Sequence, residues 1–227
     1  MSVVSESLTG KSLLEVVETR FQDSNRQETV TRVVLSASFG EGSSAEKVSS
    51  LAQDAKQEAE KVDAANNSKI TGGLIVISNS SIAAILEAPP KKIYSILNAF
   101  ASSPLLSKVR ILANVEDAPT RSFEHFGCYS ANPPSEGDVD VSAEGPVSVA
   151  SDILAKFQSN AFPEAGSSIV ALSKTGFDVP SASRISSCSD CSAFPTLTEY
   201  LELFASPVSV EVESEMVWPL GSAVSWN

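Results

Sequence analysis

Cys188 and Cys191 stand in the stretch "CSDC", at the spacing used by zinc-ligating and redox dithiols. A pair is only half of a zinc site. The third cysteine, Cys128, is distant in sequence, and the one histidine, His125, has no histidine companion. No metal site is therefore expected, and the pair reads as loop thiols. A histidine-based triad would have to use His125, which lies between Phe123 and Phe126 in "RSFEHFG". A histidine so placed reads as a packed or hydrogen-bonded structural residue. The nucleophile elbow G-x-S-x-G is absent, as are the nucleotide fingerprints G-x-G-x-x-G and G-x-x-x-x-G-K-[ST]. No catalytic residue is assigned, and the protein is read as no enzyme.

One charged cluster remains. Glu87 closes an apolar run just before Pro89 and Pro90, with Lys91 and Lys92 following. Its carboxylate is expected to accept backbone hydrogen bonds or to meet Lys91, Lys92 or Arg121. Gly72 and Gly73 open the preceding run, where they would permit close backbone packing.

The elements that carry these residues can be read from periodicity. Residues 30–39 are β-branched and end at a Gly-Ser turn, which predicts a strand. Residues 45–65 are alanine-rich, with Ser43 or Ser44 as cap and a thin apolar stripe at Val48, Leu51, Ala55, Ala59 and Val62. Two apolar strands, 72–78 and 81–88, flank a short Asn-Ser turn and predict a hairpin. Pro90 is placed to open a helix with Ile93, Ile96, Leu97 and Phe100 on one side. A strand over 108–115 completes the order β-α-β-β-α-β. The class is α+β, a ferredoxin-like core with two helices over one face of an antiparallel sheet. Leu74, Val76, Ile82, Ile85 and Leu86 belong to its core or to an interface.

The core spans 30–129. An N-terminal helical extension, 1–29, precedes it, with Leu13, Leu14, Val17 and Phe21 at helical spacing. An acidic linker loop, 130–146, follows and carries Glu136, Asp138, Asp140 and Glu144. The remainder, 147–227, is a C-terminal α/β extension. It is read as a helix over 147–162, a strand over 168–173, loop over 175–195, a helix over 196–205 and a strand over 207–214. Its tail holds both tryptophans, Trp218 and Trp226. Tryptophan near a terminus is costly to expose, so these two either fold back onto the body or insert into a neighbour; they and the acidic loop, otherwise a solvated linker, are the candidate contact sites for partner proteins.

The chain of 227 residues is 42% apolar with a net charge of −12, so it can bury a core and repels phosphate backbones. Neither nucleic acid nor a membrane surface is expected as partner. The start lacks the positive charge of a secretory signal and no apolar run reaches eighteen residues. Three cysteines suit a reducing compartment. A soluble cytoplasmic protein is expected.

The stretch "NNSKITGGLIVISNSSIAAILEAPPKKIYSILNAF", followed by "VRILANVEDAPTRSFEHFG", resembles the BLUF domain, a blue-light-sensing flavin module. Over residues 31 to 129, Ile70, Thr71 and Gly72 match the family's I-T-G, Leu86 and Glu87 its L-E, and Arg121 and Phe123 its R-x-F. The resemblance implies a ferredoxin-like fold. It also implies that FAD, if bound at all, would meet Asn66, Asn67, Lys91 and Arg121. The departures point the other way. The family's photoactive glutamine matches Ala84, its first-strand tyrosine is missing from "TRVVLSASF", and its tryptophan is Phe126. Alanine offers the flavin no hydrogen bond, and each lost partner costs roughly 1–3 kcal/mol. The chain is thus similar to degenerate members, the testis-expressed BLUF-like proteins of cilia and flagella. That likeness implies no cofactor and a structural or adaptor role among the other proteins of an assembly, with the axoneme of a cilium or flagellum as its place. An exposed edge or uncovered face of the sheet would serve for docking. The alternative is a flavin-binding regulatory or light-sensing module.

Overall fold

The computed structural model describes residues 29–62, 72–118, 121–123, 125–131, 144–159, 169–171 and 179–204. The expected N-terminal helix around 13–21, Asn66, Asn67, Glu136, Asp138, Asp140, the 207–214 strand, Trp218 and Trp226 lie outside them.

The described elements are β1 (Thr31–Phe39), α1 (Ala45–Lys61), β2 (Gly72–Ser78), β3 (Ser81–Ala88), α2 (Pro90–Ser102), β4 (Leu106–Val115), β5 (Phe126–Ser130), α3 (Pro146–Ser159), β6 (Val170–Ala171), α4 (Ala182–Asp190) and α5 (Leu197–Phe204). They build one six-stranded sheet in the order β4-β1-β3-β2-β5-β6. The first four strands are antiparallel, with β1 between β3 and β4 and the β2–β3 hairpin beside them. Together with α1 and α2, this order is the ferredoxin-like arrangement.

Local chemistry explains the elements. Ser44 caps α1 by accepting from the Lys47 amide at 3.4 Å. Val48, Ala52, Ala55 and Ala59 then fall on one buried face. These small residues let the helix lie close to the sheet. Pro90 opens α2, where a missing N–H costs nothing, and Ile93, Ile96, Leu97 and Phe100 are buried. In the hairpin Ser78 faces Ser81, and Asn79 takes the turn with φ at 53°. The glycine pair does what close packing demands. A Cβ on Gly72 would meet the Phe123 carbonyl oxygen at 2.3 Å, and one on Gly73, with φ at +153°, would meet that of Ile85 at 2.5 Å. Gly73→Ala is accordingly expected to cost about 2 kcal/mol or more, read as a lower urea midpoint. An unchanged midpoint would mean that the hairpin tolerates displacement there.

Two apolar clusters lie on opposite faces of the sheet, as strand alternation requires. The first contains Val33, Leu35, Ile75, Ile82, Leu86, the apolar faces of α1 and α2, and Tyr200 of α5. The second contains Leu74, Val76, Ile85 and Tyr129, with Val149, Ile153 and Phe157 of α3 and Ile185 and Cys188 of α4. The five strand residues expected in the core are therefore all buried, divided between the two faces.

Several expectations change here. The second face is not free for docking, because α3 and α4 cover it and make a third layer. The stretch Phe126–Ser130 is an additional strand, parallel to β2, and Val170–Ala171 adds a short parallel strand beside it. Residues 182–190 are not loop but helix, capped by the Ser181 hydroxyl accepting from the Arg184 amide at 3.3 Å. The stretch read as a linker is entered from both ends, by β5 through Ser130 and by α3 from Pro146. Even the β4 edge is partly closed, since Ile111 N–H donates to the Pro195 carbonyl at 3.0 Å and Arg110 bridges Thr196. Thr196 caps α5, with Glu199 reaching back to its amide at 2.7 Å. That hydrogen bond holds the Glu199 carboxyl below its ordinary range.

Candidate functional site

The region that the sequence resemblance singles out is the first sheet face beneath α1 and α2. A row of directly opposed residues crosses it, running Ile111, Leu35, Ala84, Ile75 and Cys128. Leu35, Ala84, Ile75 and Cys128 have no exposure at all, and Ile111 has little. Above them sit Ala52, Ala55 and Ala59 of α1 and Ile93, Ile96 and Leu97 of α2, all buried in the same cluster. The row carries one polar side-chain atom, the Cys128 thiol. Burial pushes that thiol up, against a weaker opposing hydrogen bond with Ser49. A flavin ring needs hydrogen-bonding groups along its polar edge, and photochemistry needs an electron and proton donor. Hydrocarbon at Leu35, Ala84 and Ile75 supplies neither, so the residues of this row do not fit that chemistry.

The other residues named for a flavin are scattered. Lys91 is exposed in the first turn of α2, while Lys92 beside it is buried. Arg121 precedes Ser122, on the loop that leads to β5. Asn66 and Asn67 are outside the described residues.

Glu87 is a buried carboxylate with a guanidinium and two backbone amides on it. It has no exposure, and its Oε1 receives Arg32 Nε at 2.5 Å from the directly opposed position on β1. Its Oε2 accepts the amides of Ser122 at 2.9 Å and Phe123 at 3.1 Å. Arg32 Nη2 also donates to the Ser122 hydroxyl at 2.8 Å, and Gln158 of α3 donates to the same oxygen at 3.2 Å. The expectation that Glu87 accepts backbone hydrogen bonds is met. Its cationic partner in the described ion pair is Arg32, a residue the sequence did not single out. The arrangement ties β1, β3, the β4–β5 loop and α3 together.

The cysteines part company. Cys128 lies in the first cluster, and Cys188 in the second across the sheet. Cys188 is on the last turn of α4 and fully buried, not in a loop, and Cys191 is the half-buried C-cap. Burial pushes the Cys188 thiol up to about 11, opposed by the Arg184 guanidinium. Among the described residues no group of three His, Cys, Asp or Glu side chains is placed to hold a metal ion. Of the two readings of His125, packed or hydrogen-bonded, the second fits: the residue is exposed and its carbonyl accepts the Gly73 amide at 3.0 Å. Of the acidic-loop candidates, Glu144 bonds Arg184 Nη2 at 3.0 Å, and Asp152 of α3 lies 3.3 Å from the same atom. This is an internal clasp between the start of α3 and α4. No described helix is long and apolar enough to cross a membrane.

One further cleft of about 430 Å³ lies along β4, lined by Phe100, Leu106, Lys108, Arg110, Asp190 and Leu197 among others. Lys108 Nζ meets Asp190 Oδ1 there at 2.6 Å. Sequence periodicity gives no hint of this cleft, because its wall joins β4 to the ends of α2, α4 and α5, which are far apart in sequence.

No family model matches the sequence, and no curated protein matches it. Among solved structures the chain is similar to a bacterial light-regulated adenylyl cyclase, at 13% identity and a TM-score of 0.38, over 57% of this chain and 34% of that one. It is also similar to BlrB, a BLUF protein in its dark state, at 8% identity and a TM-score of 0.38, over 45% and 74% of the two chains. A third is the BlrP1 BLUF structure, at 14% identity and a TM-score of 0.36, over 47% and 66%. The chain thus spans about a third of the cyclase's length.

Proposed function

We propose that this protein is a non-catalytic structural or adaptor subunit of a larger protein assembly, built on a BLUF-like scaffold without flavin photochemistry. The observation that supports this reading is the cross-sheet row Ile111–Leu35–Ala84–Ile75–Cys128, which is hydrocarbon apart from one buried thiol. A scaffold that keeps the sheet and fills its helix-side face with apolar side chains retains stability without a reaction centre. The buried Glu87 knot and the third layer serve rigidity, which suits a platform for partner proteins. The setting in a ciliary or flagellar axoneme rests on the sequence resemblance alone. The partner-contact roles of Glu136, Asp138, Asp140, Trp218 and Trp226 rest on the residue types of the acidic loop and the tail. Glu144 is the weakest of these contacts, since it already holds Arg184.

The test is recovery of partners with the tagged full chain from ciliated cells, compared with a chain lacking 215–227. Defined axonemal proteins are expected with the full chain, in amounts reduced several-fold by the truncation. Recovery of the full chain alone would overturn the adaptor reading. Unchanged recovery with the truncated chain would remove the tryptophan tail from the interface.

A further inference from the structure

The geometry points to Cys188 and Cys191 as a reversible dithiol latch that closes the C-terminal end of α4 by forming an intramolecular disulfide. Four observations converge on the pair. The Cys191 amide donates to the Cys188 carbonyl at 3.3 Å, which holds both residues in a single turn. Both side chains pack against the same apolar cluster, Cys188 within it and Cys191 at its margin. Their accessibilities differ, since Cys188 is fully buried while Cys191 reaches solvent. The residue between them, Asp190, forms the 2.6 Å ion pair with Lys108 across the cleft along β4. The latch therefore acts on a wall of that cleft.

The chemistry divides by access. The oxidant is a small disulfide such as oxidised glutathione. The Cys191 thiolate attacks one of its sulfurs, forming a mixed disulfide and expelling one glutathione thiolate. Cys188 then attacks the Cys191 sulfur and expels the second glutathione sulfur, which takes up the Cys188 proton and leaves as the thiol. Two protein thiols are oxidised and one small disulfide is reduced to two thiols. Burial raises the Cys188 thiol, and the α4 C-terminus adds negative potential in the same sense. A thiol of that kind is a poor leaving group. Reduction through attack on Cys191 is accordingly slow, so the closed latch persists once made. Cys128, buried across the sheet, is the internal control.

The full chain is incubated with oxidised glutathione, quenched in acid, denatured, alkylated and mapped by mass spectrometry. The expected product has lost the mass of two hydrogens on the peptide holding Cys188 and Cys191, while Cys128 is alkylated. Cys188→Ala should instead retain glutathione on Cys191, and Cys191→Ser should take up at least tenfold less. If Cys188→Ala fails to fold, the wild-type map still decides. Glutathione persisting on Cys191 of the wild-type chain, or three alkylated cysteines after prolonged incubation, would overturn the proposal.

Discussion

Glu87→Ala is expected to remove about 3–5 kcal/mol of folding stability, the largest loss for any single polar residue in the described chain. The substitution strands the Arg32 guanidinium, whose side chain is 10% exposed, without its carboxylate. It also frees the amides of Ser122 and Phe123, which Glu87 alone is seen to accept. Each buried donor left without an acceptor adds roughly 1–3 kcal/mol. The double substitution Arg32→Met with Glu87→Leu should recover part of the loss, because a buried charge is no longer unpaired. Urea denaturation of the three variants checks this. A loss below about 1 kcal/mol for Glu87→Ala would show that water replaces the carboxylate and that the knot is not a structural centre.

Phe157→Ala should cost about 3–5 kcal/mol as well, for an unrelated reason. Phe157 has no exposure, and it anchors α3 against the second sheet face beside Val149 and Ile153. Removing the ring leaves a cavity between the third layer and the sheet. The structure further requires that unfolding stay a single transition, because α4 packs on β1, β3 and β4 in the same cluster. A separate early transition of the C-terminal layer, or a loss under about 1 kcal/mol, would show that α3 and α4 are an appendage rather than part of the core.

How far the sequence discloses this architecture depends on what each segment buries. The strands 72–78 and 81–88 are legible to the residue, because each is a nearly continuous apolar run and the Asn79-Ser80 turn separates them. Helix α2 is legible because Pro90 starts it and four large apolar residues share one side. Helix α4 is not. Four of its nine residues are serine, its buried positions include Cys188 and Ser189, and its one large apolar residue is Ile185. Serine between cap and core favours a loop reading, and tertiary packing overrides it. Strand β5 is hidden for a similar reason, since five residues containing Gly127 give too short a pattern. It forms because β2 offers a free edge and Phe126 and Cys128 fill the first face.

The candidate site divides in the same way. The absence of a glutamine at position 84 and of a tyrosine in "TRVVLSASF" is visible in the residue types themselves, and the sheet register places Ala84 and Leu35 in one row. The Arg32–Glu87 pair was missed because its partners are 55 residues apart. The β1–β3 antiparallel register would have found it. Once the two strands are paired, the second residue of β1 must face the next-to-last residue of β3.

The full chain, purified, incubated with excess FAD and freed of unbound cofactor, can be examined for absorbance in the blue band of flavins, in darkness and under blue light. Protein without bound flavin, and with no light-dependent spectral shift, is what a hydrocarbon row at Leu35, Ala84 and Ile75 predicts. Stoichiometric retained flavin with a reversible shift on illumination would contradict it.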